Sequence, residues 1–254
     1  MLESVARVTP AAEQIRPFLA HQLSRKYATA ILVRNRGHGA GGSARRLAVN
    51  WHRQRRATRD RGLAVMCNLY RAKRAGAEIA AIFGAVEPAF AFTGEKDFYP
   101  KSKAPVVIER DGGRTLVEMT WGFPPPPSSK APVTNVRNLL SPFWRSALAN
   151  RERRCLVPVT EFCEWQGEKG AKVKRWFSVP SLPVFAFAGI WRPTADGAAF
   201  AFLTCEPNPL VAAVHPKAMP VILQPEDYGR WLAAEDDGGR ALSQPFPSQL
   251  MTVA

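Results

Sequence analysis

Cys67 directly follows Met66, and that placement allows chemistry an internal cysteine lacks. A small residue in second position permits removal of an initiator methionine, so a chain started at Met66 matures to one that begins with Cys. Such a residue carries two nucleophiles, an α-amine with a pKa of about 7.7–8.0 and a thiol near about 8.5. An aldehyde forms an imine with the amine, and the thiol then closes a five-membered thiazolidine. An internal Cys has only an amide nitrogen, and the commonest fate of a free Cys is that of a small buried hydrophobe. His215, in Val214-His215-Pro216-Lys217-Ala218-Met219-Pro220, is the one histidine of the chain beyond His52. A lone histidine is more often structural than catalytic, although a junction beside Pro is where functional groups are commonly displayed. Glu164, in Glu161-Phe162-Cys163-Glu164-Trp165, sits between Cys and Trp, not a typical solvated position. Partial burial there raises a carboxyl pKa and suits it to acid–base work. Glu161 competes for the same role, and spacing alone does not choose between them. Asn135 and Arg137 share one face of an extended Thr134-Asn135-Val136-Arg137 segment,. Together they can position a phosphate or sugar, or simply stabilise a loop.

These groups need elements to hold them. The run from Arg71 to Val86 is Ala-rich with Ile79, Ile82 and Phe83 at helical spacing, which predicts a surface helix,. Pro105–Arg110 and Thr115–Thr120 flank Asp111-Gly112-Gly113-Arg114, a hairpin signal,. Strands are predicted over Cys155–Val159, Arg175–Val179, Val184–Trp191, Ala199–Thr204 and Met219–Leu223. Short helices are predicted over Pro209–Val214 and Pro225–Ala234, the latter with Pro at its start,. Pro124 to Ser129 reads as a stiff loop. The class is α+β, a mainly antiparallel β-sheet curled into a barrel-like core with a few peripheral helices.

Seven segments resemble, in order, the SOS-response-associated peptidase (SRAP) family: Met66-Cys67-Asn68-Leu69-Tyr70, Trp121-Gly122-Phe123-Pro124, Thr134-Asn135-Val136-Arg137, Arg154-Cys155-Leu156-Val157-Pro158, Phe162-Cys163-Glu164-Trp165, Ala188-Gly189-Ile190-Trp191 and His215 to Leu223. The resemblance spans Met66 to Ala254, an SRAP domain over 66–254. It implies an abasic-site processing protein that crosslinks the ring-opened sugar aldehyde in single-stranded DNA through its N-terminal Cys, after autocatalytic removal of whatever precedes it. Lyase activity on the abasic strand goes with that expectation. By the same resemblance Cys67 is the nucleophile, Asn135 positions the reacting amine or sugar, and Glu164 assists proton transfer. His215 acts as acid or base on the sugar oxygen, Arg137 holds a phosphate, and Trp121 stacks or wedges against a base. Two departures bear on DNA contact. Asn68 and Leu69 follow the Cys where the family has Gly and Arg, which leaves Arg71 or Lys73 as substitutes. His215-Pro216-Lys217-Ala218-Met219-Pro220 is one residue longer than the family's His-x-Arg-Met-Pro, with Lys217 supplying charge but not a bidentate fork.

The formal charge of +14 is unevenly distributed. Residues 1–65 hold 13 Lys and Arg against three acids (Glu3, Glu13, Asp60), whereas the remainder has 22 basic and 18 acidic residues. The basicity therefore says little about the domain after Met66. Residues 1–65 lack hydrophobic periodicity and have no counterpart in the family. They read as a disordered basic extension or as sequence upstream of the true start at Met66, with a nucleic-acid arm and a transit-like peptide as the other readings. No apolar run approaches the ~18 residues of a membrane span. The four cysteines (Cys67, Cys155, Cys163, Cys205) form no C-x-x-C pair, which argues against a zinc site or a disulfide framework and for a reducing cytoplasm,. No metal and no cofactor are expected. The expected partner is single-stranded DNA with abasic sites, and the protein is expected to be a monomer. Two other functions stay open: a cysteine peptidase using Cys67 and His215 on other proteins, which needs only the thiol, and a non-catalytic single-strand binder. The net of +4 after residue 65 argues against purely electrostatic binding.

Overall fold

A computed structural model describes residues 67–254 except 128, 169 and 234–237; the basic segment 1–65 and Met66 lie outside the described residues. In chain order the elements are β1 (Tyr70–Ala72), α1 (Gly76–Phe83), β2 (Ala85–Val86), β3 (Lys96–Phe98), β4 (Lys103–Arg110), β5 (Gly113–Trp121), β6 (Asn135–Val136), α2 (Arg145–Ala149), β7 (Arg154–Val159), β8 (Glu161–Gln166), β9 (Val173–Ser178), β10 (Phe185–Thr194), β11 (Gly197–Cys205), α3 (Pro209–Ala212), β12 (Met219–Pro220), β13 (Ile222–Leu223), α4 (Tyr228–Ala233), α5 (Gly238–Ala241) and β14 (Thr252–Val253).

Strands β11, β10, β7, β4 and β5 pair in that order. A parallel contact between β5 and β11, Ala199 opposite Thr120 and Phe200 opposite Trp121, closes them into a five-stranded barrel,. The fold is thus the α+β barrel the sequence implies. The hairpin of β4 and β5 turns on two residues, Asp111 and Gly112, both with positive φ (53° and 77°). Asp-Gly tolerates that geometry, and its twist matches the flanking strands.

A second, antiparallel sheet runs β14-β9-β8-β1-β3. Its inward aromatics meet the barrel. Tyr70 of β1 packs edge-on to Trp121 and Phe187 and close to Phe202, and Phe162 of β8 stacks on Phe177 and meets Phe187. These rings are fully buried. Aromatic burial of this kind is the principal source of stability in such a core.

The predicted helix from Arg71 to Val86 is shorter than expected. Arg71 lies in β1, opposite Asp97 of β3 and Glu161 of β8. The helix begins at Gly76, where the Glu78 carboxylate accepts from the Ala75 N–H at 3.0 Å, and ends at Gly84, whose φ of 59° stops it. Ile79, Ala80 and Phe83 are buried, so the helix is a packed cover rather than a free surface element. The strand predicted over 219–223 is broken at Val221, giving β12 on β11 and β13 on β10.

Candidate active site

Cys67 lies just before β1, where the second sheet meets the barrel, and is 2 % exposed. Its carbonyl accepts from Asn135 Nδ2 at 3.2 Å, and the same amide nitrogen donates to Thr134 Oγ1 at 2.9 Å. Asn135 reaches Cys67 because β6 lies parallel to β11, with Asn135 opposite Phe202. The Cys67 thiol lies 3.8 Å from the Leu69 carbonyl and 3.9 Å from that of Cys163, and it also interacts with the Glu164 side chain. Burial pushes its pKa well up, and the charge of Glu164 adds to the effect,.

Glu164 is 2 % exposed on β8. Burial raises its pKa to about 8, partly offset by hydrogen bonding with the Cys67 thiol. At neutral pH the group is therefore mostly a neutral carboxylic acid, able to give a proton. Its Oε2 lies 3.9 Å from His215 Nδ1. That nitrogen is 3.0 Å from the Ala218 carbonyl. A carbonyl only accepts, so Nδ1 carries the hydrogen and Nε2 is left as the basic nitrogen.

The structure gives the two carboxylates different surroundings. Glu161 is engaged by Arg71 at 3.3 Å and Lys73 at 2.6 Å on the outer side of the sheet, whereas Glu164 faces Cys67. Arg71 also grips Asp97 at 2.7 and 3.1 Å and lies 3.7 Å over the Trp176 ring. Of the two candidates to replace the arginine missing after Cys67, Arg71 is thus held by two acids, whereas Lys73 pairs with Glu161 and is 46 % exposed. Asn68, in the Gly position, instead accepts from Trp165 Nε1 at 3.3 Å.

Trp121 does not present a face to a base. It is fully buried, its ring 5.0 Å from Tyr70 and 5.3 Å from Phe202. The reason is its place as the last residue of β5 at the barrel seam, followed by Gly122. That glycine has a φ of 113°, and an added Cβ would sit 2.8 Å from Pro132. The chain can double back there and bring Thr134 beside the indole. Arg137 lies just beyond β6, half-exposed, with its guanidinium on the Glu206 carboxylate. Lys217 is exposed two residues from His215.

Sequence reasoning missed Thr204. Thr204 Oγ1, Asn135 Oδ1 and Glu164 Oε1 are buried and have no hydrogen-bond partner among the described residues. Leaving such atoms unpaired costs about 1–3 kcal/mol each. Thr204 lies on β11, opposite Pro220 of β12 and directly after Leu203, the partner of Val136 in β6, on the same side as Phe202. Its only sequence signal is a hydroxyl closing the apolar run Phe200-Ala201-Phe202-Leu203. Among the described residues no cluster of three or more His, Cys, Asp or Glu is arranged to hold a metal ion, and no helix is long and apolar enough to cross a membrane.

A small closed barrel whose margin gathers a Cys, an amide, a neutral carboxylic acid and a His defines the class of protein. Residues 66–254 match the SOS response associated peptidase model, and the chain belongs to that family. The fold recurs in solved structures of a protein from Bordetella bronchiseptica (24 % identity, TM-score 0.64, covering 74 % of this chain and 98 % of that one) and one from Bacteroides thetaiotaomicron (20 %, 0.63, 74 % and 90 %). A phage-related protein from Bordetella bronchiseptica is also similar (18 %, 0.60, 74 % and 93 %). No curated protein matches.

Proposed function

We propose that the protein captures abasic sites in single-stranded DNA through Cys67, once Cys67 is the first residue of the mature chain. The observation that carries this reading is the neutral Glu164 carboxyl beside Cys67, with Asn135 holding the Cys67 carbonyl. The hydrogen bond fixes the residue by its carbonyl and leaves the amine and thiol as the reacting groups.

The chemistry follows in balanced steps. The free α-amine adds to the C1′ aldehyde of the ring-opened sugar, giving a carbinolamine. Glu164 gives its proton to the departing hydroxyl and water leaves; the resulting iminium returns its N–H proton to the Glu164 carboxylate, which leaves a neutral imine. The thiol then adds across the C=N bond: sulfur bonds to carbon, its proton passes to nitrogen, and the thiazolidine closes. His215 Nε2 is the second proton carrier, available for sugar ring opening and for reversal. Unpaired buried oxygens on Asn135, Glu164 and Thr204 suit a ligand rich in hydroxyls,.

A cysteine peptidase acting on other proteins calls for an activated thiolate. The Cys67 thiol is shifted the opposite way, which favours a mechanism in which the amine reacts first. The test is to incubate Cys67-first protein with single-stranded DNA containing an abasic site and run the mixture under denaturing conditions. A covalent adduct that survives without reductant is the expected result. Equal crosslinking by a form with an uncleaved residue ahead of Cys67 would rule the thiazolidine out.

A further inference from the structure

We infer that Glu206 is a built-in competitor for the DNA phosphate at Arg137, setting how tightly and how salt-sensitively a single strand is held. The inference rests on the DNA reading proposed above.

The pair is placed by the backbone. Strands β6 and β11 run parallel with Asn135 opposite Phe202 and Val136 opposite Leu203. Continuing that register sets Thr204 across from Arg137, with Glu206 two residues further on and within reach of a long side chain. Arg137 Nη2 donates to Glu206 Oε1. The two sides of the pair differ: the Arg137 side chain is 33 % exposed, whereas that of Glu206 is 76 % exposed.

A second arginine shows what a permanent arrangement looks like in this fold. Arg71 is held by two acids, Asp97 and Glu161, all three mostly buried, and is stacked on Trp176. Arg137 has a single, largely solvated carboxylate, and isolated exposed ion pairs of that kind contribute little. A carboxylate and a phosphodiester present the same thing to a guanidinium, a negative charge with two acceptor oxygens. A strand phosphate can therefore take the place of Glu206 without disturbing the fold, while Arg137 stays beside Asn135 and the Cys67 site.

Such an exchange leaves a mark on ion release. A phosphate neutralised by a cation frees about 0.7 counterion for single strands. When the phosphate displaces Glu206, the released carboxylate regains a cation from solution and offsets part of that gain. Glu206 thus weakens binding and flattens its salt dependence.

The experiment compares full-length wild type, Glu206→Gln, Arg137→Ala and the double variant, so that segment 1–65 is common to all four. The probe is a fluorescein-labelled oligothymidylate without abasic sites, followed by anisotropy over a series of KCl concentrations. Glu206→Gln is expected to bind about two- to fivefold more tightly, with a log–log salt slope steeper by up to roughly 0.7. In the Arg137→Ala background that gain should vanish, since the two residues act as a pair. If Arg137→Ala weakens binding but Glu206→Gln changes neither affinity nor slope, the DNA reading stands and the role of Glu206 is overturned. A Glu206→Gln gain that persists undiminished without Arg137 also overturns it, because the charge then acts elsewhere. If wild type does not retain the probe, the DNA reading falls and takes this inference with it.

Discussion

The indole N–H of Trp121 donates to the carbonyl of Thr134 at 3.2 Å, one residue before the asparagine that holds Cys67. A residue buried in the aromatic core is thereby tied directly to the candidate active site. Trp121→Ala removes a fully buried ring and should cost about 3–5 kcal/mol of stability. Trp121→Phe keeps most of the packing and loses the hydrogen bond, at about 0.5–1.5 kcal/mol. Denaturant unfolding measures both, and the folded Trp121→Phe protein should crosslink more slowly than wild type. Unchanged stability of Trp121→Ala would contradict its place in the core.

Glu164 links stability to pH with a definite sign. Its pKa is raised from 4.5 to about 8 on folding, so the folded state holds a proton that the unfolded state releases. Stability is highest below the unfolded value, declines as pH rises between about 4.5 and about 8, and levels off above. Glu164→Gln should remove this component, seen as a flatter dependence of the denaturation midpoint on pH across that window.

In the proposed mechanism the same carboxyl sets the rate. Crosslinking needs the α-amine free, with a pKa of about 7.7–8.0, and Glu164 protonated. A bell-shaped profile with its maximum near pH 8 is expected. Glu164→Gln should slow the reaction by ~10²–10⁴ and abolish the alkaline limb. His215→Ala should change the rate of crosslink formation or reversal more than DNA affinity, read by single-turnover kinetics alongside equilibrium binding.

Cys67→Ser retains the amine but not a good ring-closing group. It should give at most an imine, trapped by borohydride and lost on denaturation without it. One residue placed ahead of Cys67 turns the amine into an amide and should block the adduct until it is removed. A thiol-only peptidase would tolerate that extra residue, and a passive binder would be indifferent to it.

Arg137→Ala should weaken single-strand binding and lower the log–log salt slope by roughly 0.7, the signature of one lost phosphate contact. An unchanged slope would remove Arg137 from the DNA face.

What the sequence shows of this molecule follows the range of the interactions involved. The β4–β5 hairpin is legible because Asp111-Gly112 and the apolar runs beside it are local signals. The buried setting of Glu164 is legible from its Cys and Trp neighbours. The helix is over-extended toward Arg71 because Tyr70–Ala72 is too short for its two-residue period to stand out against the alanines that follow. The surroundings of Trp121, Thr204 and Glu206 are not legible. Each depends on β5 or β6 lying parallel to β11, strands from opposite halves of the domain, and no local pattern encodes that pairing. The same is true of the different settings of Glu161 and Glu164, since the cations that hold Glu161 come from β1 and the residue after it.

The parallel seam between β5 and β11 also dictates when the chain becomes competent. Contacts between residues so distant in sequence form slowly, because a long loop must close before any of them contributes. Asn135 has no strand to lie on until β11 exists, and His215 follows β11 in the chain. On the ribosome Cys67 is made early and waits without its amide, its acid or its histidine for most of the domain's synthesis. In a half-made chain the groups that surround Cys67 in the finished fold are therefore still apart, and they come together when the barrel shuts.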